Sequence, residues 1–140
     1  YRIIEQQDSF SRWKLLGRAL SSARTHDLGK PGGKLSVMSL SLRDFDECGA
    51  DRNDTGGFAD MVLAVADVGA SAILTEGEVG PGEPPLTKIS LRSKPVPQPL
   101  DVGTLTNRLG GGGHFHAAGA KVRIGLAEAE QKLLEVARGL

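Results

Sequence analysis

Apolar residues along this chain recur with two periods, and the changes of period divide it into elements. Phe10, Trp13, Leu16, Leu20 and Ala23 fall at helical spacing, which predicts an amphipathic helix over roughly residues 3–24. The loop Gly29-Lys30-Pro31-Gly32-Gly33 breaks the pattern, and the run Leu35–Ser41 reads as a strand. Phe58, Met61, Val62 and Val65 return to helical spacing, entered through Asp54-Thr55-Gly56-Gly57 and stopped near Gly69. Ala72–Thr75 reads as a strand, and Gly80-Pro81-Gly82-Glu83-Pro84-Pro85 as a loop. The clearest strand is Thr87–Ser93, where Ile89 and Leu91 alternate with Lys88, Ser90 and Arg92. Pro95, Pro97 and Pro99 end it as a stiff connector. Val102, Leu105 and Leu109 mark a short helix with Asp101 as its N-cap. Lys121-Val122-Arg123-Ile124 alternates once more. Leu126, Ala129, Leu133 and Val136 close the chain as a helix, with Glu128 and Lys132 spaced to pair on its outer face. Strands and helices interleave without repeat or internal boundary, so the expected fold is a single α/β domain over residues 1–140, a layered sheet flanked by helices.

Composition narrows the class. A chain of 140 residues can close one core without staples. It opens on Tyr1 rather than Met, which reads as a piece of something longer. Cys48 is the single cysteine, which excludes an internal disulfide and a cysteine-based zinc site and agrees with a reducing compartment. No apolar run approaches the length of a membrane span. Lys+Arg and Asp+Glu number 17 each, but unevenly placed: residues 1–85 hold 9 basic against 13 acidic side chains, and residues 86–140 hold 8 against 4. Neutrality argues against a general nucleic-acid coat, while the basic end leaves room for a local anionic ligand.

The candidate chemistry concentrates in Gly110-Gly111-Gly112-Gly113-His114-Phe115-His116-Ala117-Ala118-Gly119-Ala120. Glycines leave backbone N–H groups uncovered by any Cβ, and such groups can cradle an anion. A flexible linker is the competing reading, but linkers do not lead into His-Phe-His-Ala-Ala-Gly-Ala. The glycines do not form a nucleotide P-loop either, since His114 follows where Lys and Ser/Thr belong. On the 87–93 strand Lys88, Ser90 and Arg92 project to one side, joined by Lys94 if the strand continues, and a guanidinium beside a hydroxyl suits a phosphate. A solvent-exposed polar face explains the same row. Asp51-Arg52-Asn53-Asp54-Thr55-Gly56 opens like a calcium loop, but the closing acid should stand at position 62, which is Val62. Two imidazoles, His114 and His116, are too few for a zinc site.

The glycine–histidine segment resembles the motif of the DHH-associated C-terminal domain of the DHH (RecJ-like) phosphoesterases. Lys88-Ile89-Ser90-Leu91-Arg92-Ser93 is similar to the strand that precedes that motif in the branch containing nano-RNA/pAp phosphatases, cyclic-dinucleotide phosphodiesterases and exopolyphosphatase-related proteins. Asp101-Val102-Gly103-Thr104-Leu105 leading to Arg108-Leu109-Gly110 is similar to its helix, and Lys14–Leu20 also fits. The resemblance implies a central mixed β-sheet flanked by helices, and a domain that binds substrate phosphate through Arg92, Ser93, Gly111, Gly112, Gly113 and His114; His116 falls where the family varies and is a candidate supporting residue on its position alone. It implies a helix over residues 1–24 joining an N-terminal catalytic DHH domain, where manganese would be held by aspartates and histidines. This chain has no Asp-His-His, so no metal or other cofactor is expected on it and it should not be catalytic alone. The implied partners are that domain and a phosphate-containing nucleotide or short oligonucleotide, pAp, a cyclic dinucleotide or a polyphosphate. The implied setting is cytoplasmic, away from any membrane, with a homodimer compatible. Thr55-Gly56-Gly57 departs from related sequences, which carry an acidic residue there. A related glycine-rich domain ends alanyl-tRNA synthetases, so a non-catalytic RNA-binding module is the alternative, and a purely structural α/β domain is a further one.

Overall fold

Ser9 starts the first helix of the computed structural model, which describes residues 8–140; its hydroxyl accepts the Arg12 N–H at 3.1 Å. Helix α1 (Phe10–Ser22) therefore begins later than its spacing predicts, and the expected portion before Asp8 lies outside the described residues. Its buried residues are Leu15, Leu16 and Ala19, whereas Phe10, Trp13 and Leu20 are exposed. Two arginines flank the buried stripe. Arg12 donates to the Gly56 carbonyl at 2.6 Å and lies 5.1 Å from the centre of the Phe58 ring. Arg18, on the opposite flank from Leu20, bonds Asp44 at 3.0 Å and Glu47 at 2.8 Å.

The chain continues through β1 (Arg24–His26), β2 (Lys34–Leu40) and α2 (Leu42–Cys48), the last opened by a reciprocal Ser41–Asp44 capping box. A 3-10 turn (Arg52–Thr55) and the short α3 (Phe58–Val62) lead into β3 (Val68–Glu76). Helical spacing runs on to Val65, but the chain turns at Leu63 to enter β3, leaving Met61 and Val65 exposed and Phe58, Ala59 and Val62 buried. The start of β3 is clamped against the glycine loop: a Cβ on Gly69 would lie 1.6 Å from the Gly32 carbonyl oxygen. Then follow β4 (Thr87–Ser93), α4 (Val102–Arg108), β5 (Gly112–Gly113), β6 (Ala117–Val122) and α5 (Leu126–Arg138).

The six strands form one mixed sheet in the order β1-β2-β3-β4-β6-β5, parallel between β2 and β3 and antiparallel elsewhere. One face carries α1, α2 and α3 over Met38, Leu40 and Ile73, with Phe45, Cys48 and Phe58 filling the layer. The other carries α4 and α5 over Leu35, Val37, Leu74, Ile89 and Leu91, with Leu105 and Leu133 pressed onto them. Glu128 and Lys132 do not pair; Glu130 is the active acid of α5, bonding Arg24 Nε and His26 Nε2 at 3.0 Å each and stitching β1 to α5. Among the described residues, α1–α3 pack mainly on β2, β3 and β4, which leaves their face of the sheet open at β6 and β5. No described helix is long and apolar enough to cross a membrane.

Candidate functional site

The uncovered part of the sheet is where the sequence motifs meet. Strand β4 alternates as expected: Thr87, Ile89, Leu91 and Ser93 are buried, while Lys88, Ser90 and Arg92 share the other face. The register sets Lys88 opposite Lys121, Ser90 opposite Gly119 and Arg92 opposite Ala117 on β6. Gly119 in turn faces Gly112 on β5. His114 and Ala117 exchange backbone hydrogen bonds of 2.9 and 3.4 Å, so they too stand opposite each other. Arg92, Ala117 and His114 thus form one transverse row on one face. Two strand spacings, roughly 10 Å, separate the outer pair, and only a methyl group stands between them. Gly112, Gly119 and Ala117 make a low shelf bordered by Lys88, Arg92, Lys121 and His114.

The four glycines have separate reasons. Gly110 ends α4 at a φ of +86°. A Cβ on Gly111 would lie 2.2 Å from the Gly119 oxygen, and one on Gly113 would lie 2.6 Å from Ala118. Gly112 has no neighbour within 4 Å of its Cβ position, so there a ligand can reach the backbone. The Gly111 N–H donates to the Thr106 carbonyl at 2.8 Å and the His114 N–H to that of Ala117. Antiparallel alternation then leaves the Gly113 N–H on the open edge of β5. A cradle of successive N–H groups is not what the loop offers; it offers one edge N–H and a bare glycine floor.

Ser93 stands on the opposite face from Arg92. It is 5% exposed, and its hydroxyl bonds His116 Nδ1 at 2.8 Å. The Val102 N–H donates to the Phe115 carbonyl at 3.0 Å. These contacts hold the 114–116 turn against α4, leaving the His114 ring exposed. Asp101 caps α4 as expected, accepting from the Thr104 N–H at 3.0 Å. That bond, first among its causes, holds the Asp101 carboxyl below the usual range. Strand β4 stops at Ser93, and Lys94 leaves the row, its ammonium donating to the Val65 carbonyl at 2.9 Å.

Between β4 and the segment from the 3-10 turn to α3 lies a cavity of about 260 Å³, with Arg52, Thr55, Asp60, Lys88, Ser90 and Arg92 on its wall. Arg92 Nη1 donates to its neighbour's carbonyl, Leu91, at 2.9 Å, and its Nε lies 3.6 Å from Asp60. The sequence reading gave Arg52 and Asp60 no place at this site and named Gly119 only as part of the glycine–histidine segment. Gly119 was legible as the middle of an alternating Ala-Gly-Ala run, whereas Arg52 and Asp60 reach the site through long-range packing. Among the described residues no group of three or more His, Cys, Asp or Glu side chains could hold a metal ion. The donors present do not fit manganese, and no chemical step on this chain is assigned to it.

A family model described as DHHA1 domain matches residues 29–140. Among solved structures the chain is similar to an exopolyphosphatase-related protein from Bacteroides fragilis, at 25% identity and a TM-score of 0.82, covering 99% of this chain and 37% of that one. It shares its fold with PggH, a pGpG-specific phosphodiesterase from Vibrio cholerae, at 12% identity and a TM-score of 0.58, covering 92% of this chain and 39% of that one. The C-Ala domain of Aquifex aeolicus alanyl-tRNA synthetase has the same fold at 14% identity and a TM-score of 0.55, covering 83% of this chain and 99% of that one. This chain therefore spans about two fifths of the length of the first two. Curated protein sequences give no match.

Proposed function

The chain belongs to the DHHA1 domain family, the C-terminal domain associated with DHH phosphoesterases, and on that premise we propose that it grips the phosphate of a nucleotide or short oligonucleotide for hydrolysis elsewhere in a longer protein. The observation that supports this is the Arg92–Ala117–His114 row on an uncovered sheet face. An exposed imidazole donates to a phosphate oxygen, more strongly once protonated, and the Arg92 guanidinium, on turning from the Leu91 carbonyl and Asp60, would supply donors from the other side. The glycine shelf lets the anion approach the backbone between them. A catalytic DHH domain would close over this shelf, so this domain contributes positioning and electrostatic complementarity rather than a nucleophile. In that longer protein metal ions, usually manganese, would activate the attacking water, and the setting would be the cytoplasm.

The test is His114→Ala in the longer enzyme. Loss of one charge-assisted hydrogen bond costs about 1.5–3 kcal/mol, or roughly a ten- to hundredfold fall in kcat/KM. Metal content and melting temperature should hold. Arg92→Lys should fail to restore full activity, because an ammonium lacks the planar fork. Unchanged kinetics in the His114 variant would reject the grip. The likeness to C-Ala, together with an exposed Phe115, keeps an RNA-binding module as the second reading. Steeply salt-dependent binding of long RNA with no preference for short phosphates would favour it.

A further inference from the structure

Arg92 is placed for the shelf by its backbone and held away from it by its side chain. The register puts it in the row with Ala117 and His114. Its guanidinium turns instead toward α3: Nε lies 3.6 Å from the Asp60 carboxylate, and Nη1 donates back to the Leu91 carbonyl at 2.9 Å. A guanidinium carries five N–H donors, and this is the one hydrogen bond Arg92 makes among the described residues. At 3.6 Å the contact with Asp60 is a charge pair rather than a hydrogen bond. Asp60 is 59% exposed, so water screens the pair and a better acceptor can displace it.

The acid is the fixed partner. Phe58, Ala59 and Val62 bury the inner side of α3, and its entry is held by Arg12, which donates to the Gly56 carbonyl at 2.6 Å. Beyond its end, the Lys94 ammonium ties the Val65 carbonyl to the end of β4 at 2.9 Å. Asp60 is the single carboxylate on the wall of the 260 Å³ cavity, and among the described residues Arg92 is the cation it pairs with. A movable guanidinium thus has a rigid carboxylate on one flank and the glycine shelf on the other.

We infer that Asp60 is a latch on Arg92, holding the guanidinium off the shelf until a phosphate draws it across. This rests on the reading that the shelf grips a phosphate. Asp60 touches no ligand and is a positioning residue that acts through Arg92. The exchange replaces a loose pair in water by charge-assisted hydrogen bonds to the phosphate, which are the stronger contacts. Affinity is scaled down by the fraction of molecules in which Arg92 is free, so removing the acid tightens binding. A carboxylate that merely braced α3 would have the opposite effect or none.

The experiment is calorimetric titration of this chain with adenosine monophosphate. Asp60→Asn should bind it about two- to fivefold more tightly than the wild type, the range of an exposed ion pair, with an unchanged melting temperature. Removing a negative charge near an anion site also acts through space, so the substitution is repeated in an Arg92→Gln background, where it should change nothing. The Arg92 Nε–H magnetic resonance signal, identified by its loss in Arg92→Gln, should move on Asp60→Asn and again when adenosine monophosphate saturates the wild type. Equal tightening with and without Arg92, no tightening by Asp60→Asn, or an Arg92 signal that stays in place at saturation would overturn the latch. If His114→Ala weakens binding while Asp60→Asn leaves it unchanged, the latch falls and the shelf stands. If neither the wild type nor Asp60→Asn binds the nucleotide, the shelf reading fails and the latch with it.

Discussion

Replacing Gly113 and Gly112 one at a time by alanine separates the folding role of the glycine run from its binding role. Gly113 has a φ of +150°, a conformation that L side chains rarely adopt, and its added Cβ would lie 2.6 Å from both Cα and Cβ of Ala118. Holding a non-glycine residue there costs about 1–3 kcal/mol of backbone strain. Forcing the hairpin apart to admit the methyl adds about 1–3 kcal/mol. For a domain of this size, each kcal/mol moves the melting temperature by roughly 3 °C, so Gly113→Ala should melt roughly 5–20 °C lower. Gly112 needs neither a positive φ nor space, since nothing lies within 4 Å of its Cβ position. Gly112→Ala should keep its stability within about 1 kcal/mol of the parent, with any shift toward greater stability through a less flexible unfolded chain. Its methyl would stand on the shelf beside Gly119, where a ligand must approach, so affinity for a nucleotide phosphate should fall about tenfold, one charge-assisted contact. The assays are thermal melts followed by circular dichroism and titration with adenosine monophosphate. A Gly112→Ala protein that binds like the parent would refute the shelf, and a Gly113→Ala protein that melts like the parent would refute the packing argument.

Two further expectations follow from the helical layers. Glu130 is held below the ordinary glutamate range, first by its hydrogen bond from Arg24 and also by that from His26. A carboxyl depressed in the folded state adds stability above its unfolded value, near 4.5, and loses it as pH falls through the lower folded value. Urea titrations should therefore show a falling acid limb below about pH 4.5 that is flatter in Glu130→Gln, which should also cost about 1–3 kcal/mol at neutral pH; an unchanged acid limb would count against the pairing. On α1, Leu15→Ala should cost about 2–5 kcal/mol and Trp13→Ser less than about 1 kcal/mol, the reverse of what helical spacing alone ranks. Melts of the two variants decide it.

Much of the basic end was legible because its local signals agree. Strand β4 matches its alternation residue for residue, and Asp101 caps α4 where the spacing placed it. The acidic end was harder. The faces Phe10-Trp13-Leu20 and Leu15-Leu16-Ala19 are both apolar, and which one is buried depends on packing against Met38, Phe45 and Phe58, with Arg12 and Arg18 reaching partners more than twenty positions away. Strand β1 is Arg-Thr-His and β5 is Gly-Gly, sequences with little strand preference that become strands by pairing with β2 and β6. Strand β6 begins at Ala117, inside the motif, earlier than the Lys121–Ile124 alternation announced. At the site, strict alternation separates Ser93 from Arg92, and the partnership of Arg92 with His114 depends on a register across three strands that no single segment encodes.

Cys48 has a consequence beyond composition. It is the only thiol in the chain, 7% exposed in the layer that α1 and α2 form with Phe45 and Phe58. A thiol-specific label can reach its sulfur when that layer lifts from the sheet, and the labelling rate, compared with that of the denatured chain, gives the free energy of the partial opening. The pairing of β4 with β6 need not break for the label to react. One native side chain therefore reports loosening of the helical layer separately from loosening of the shelf, with no engineered probe.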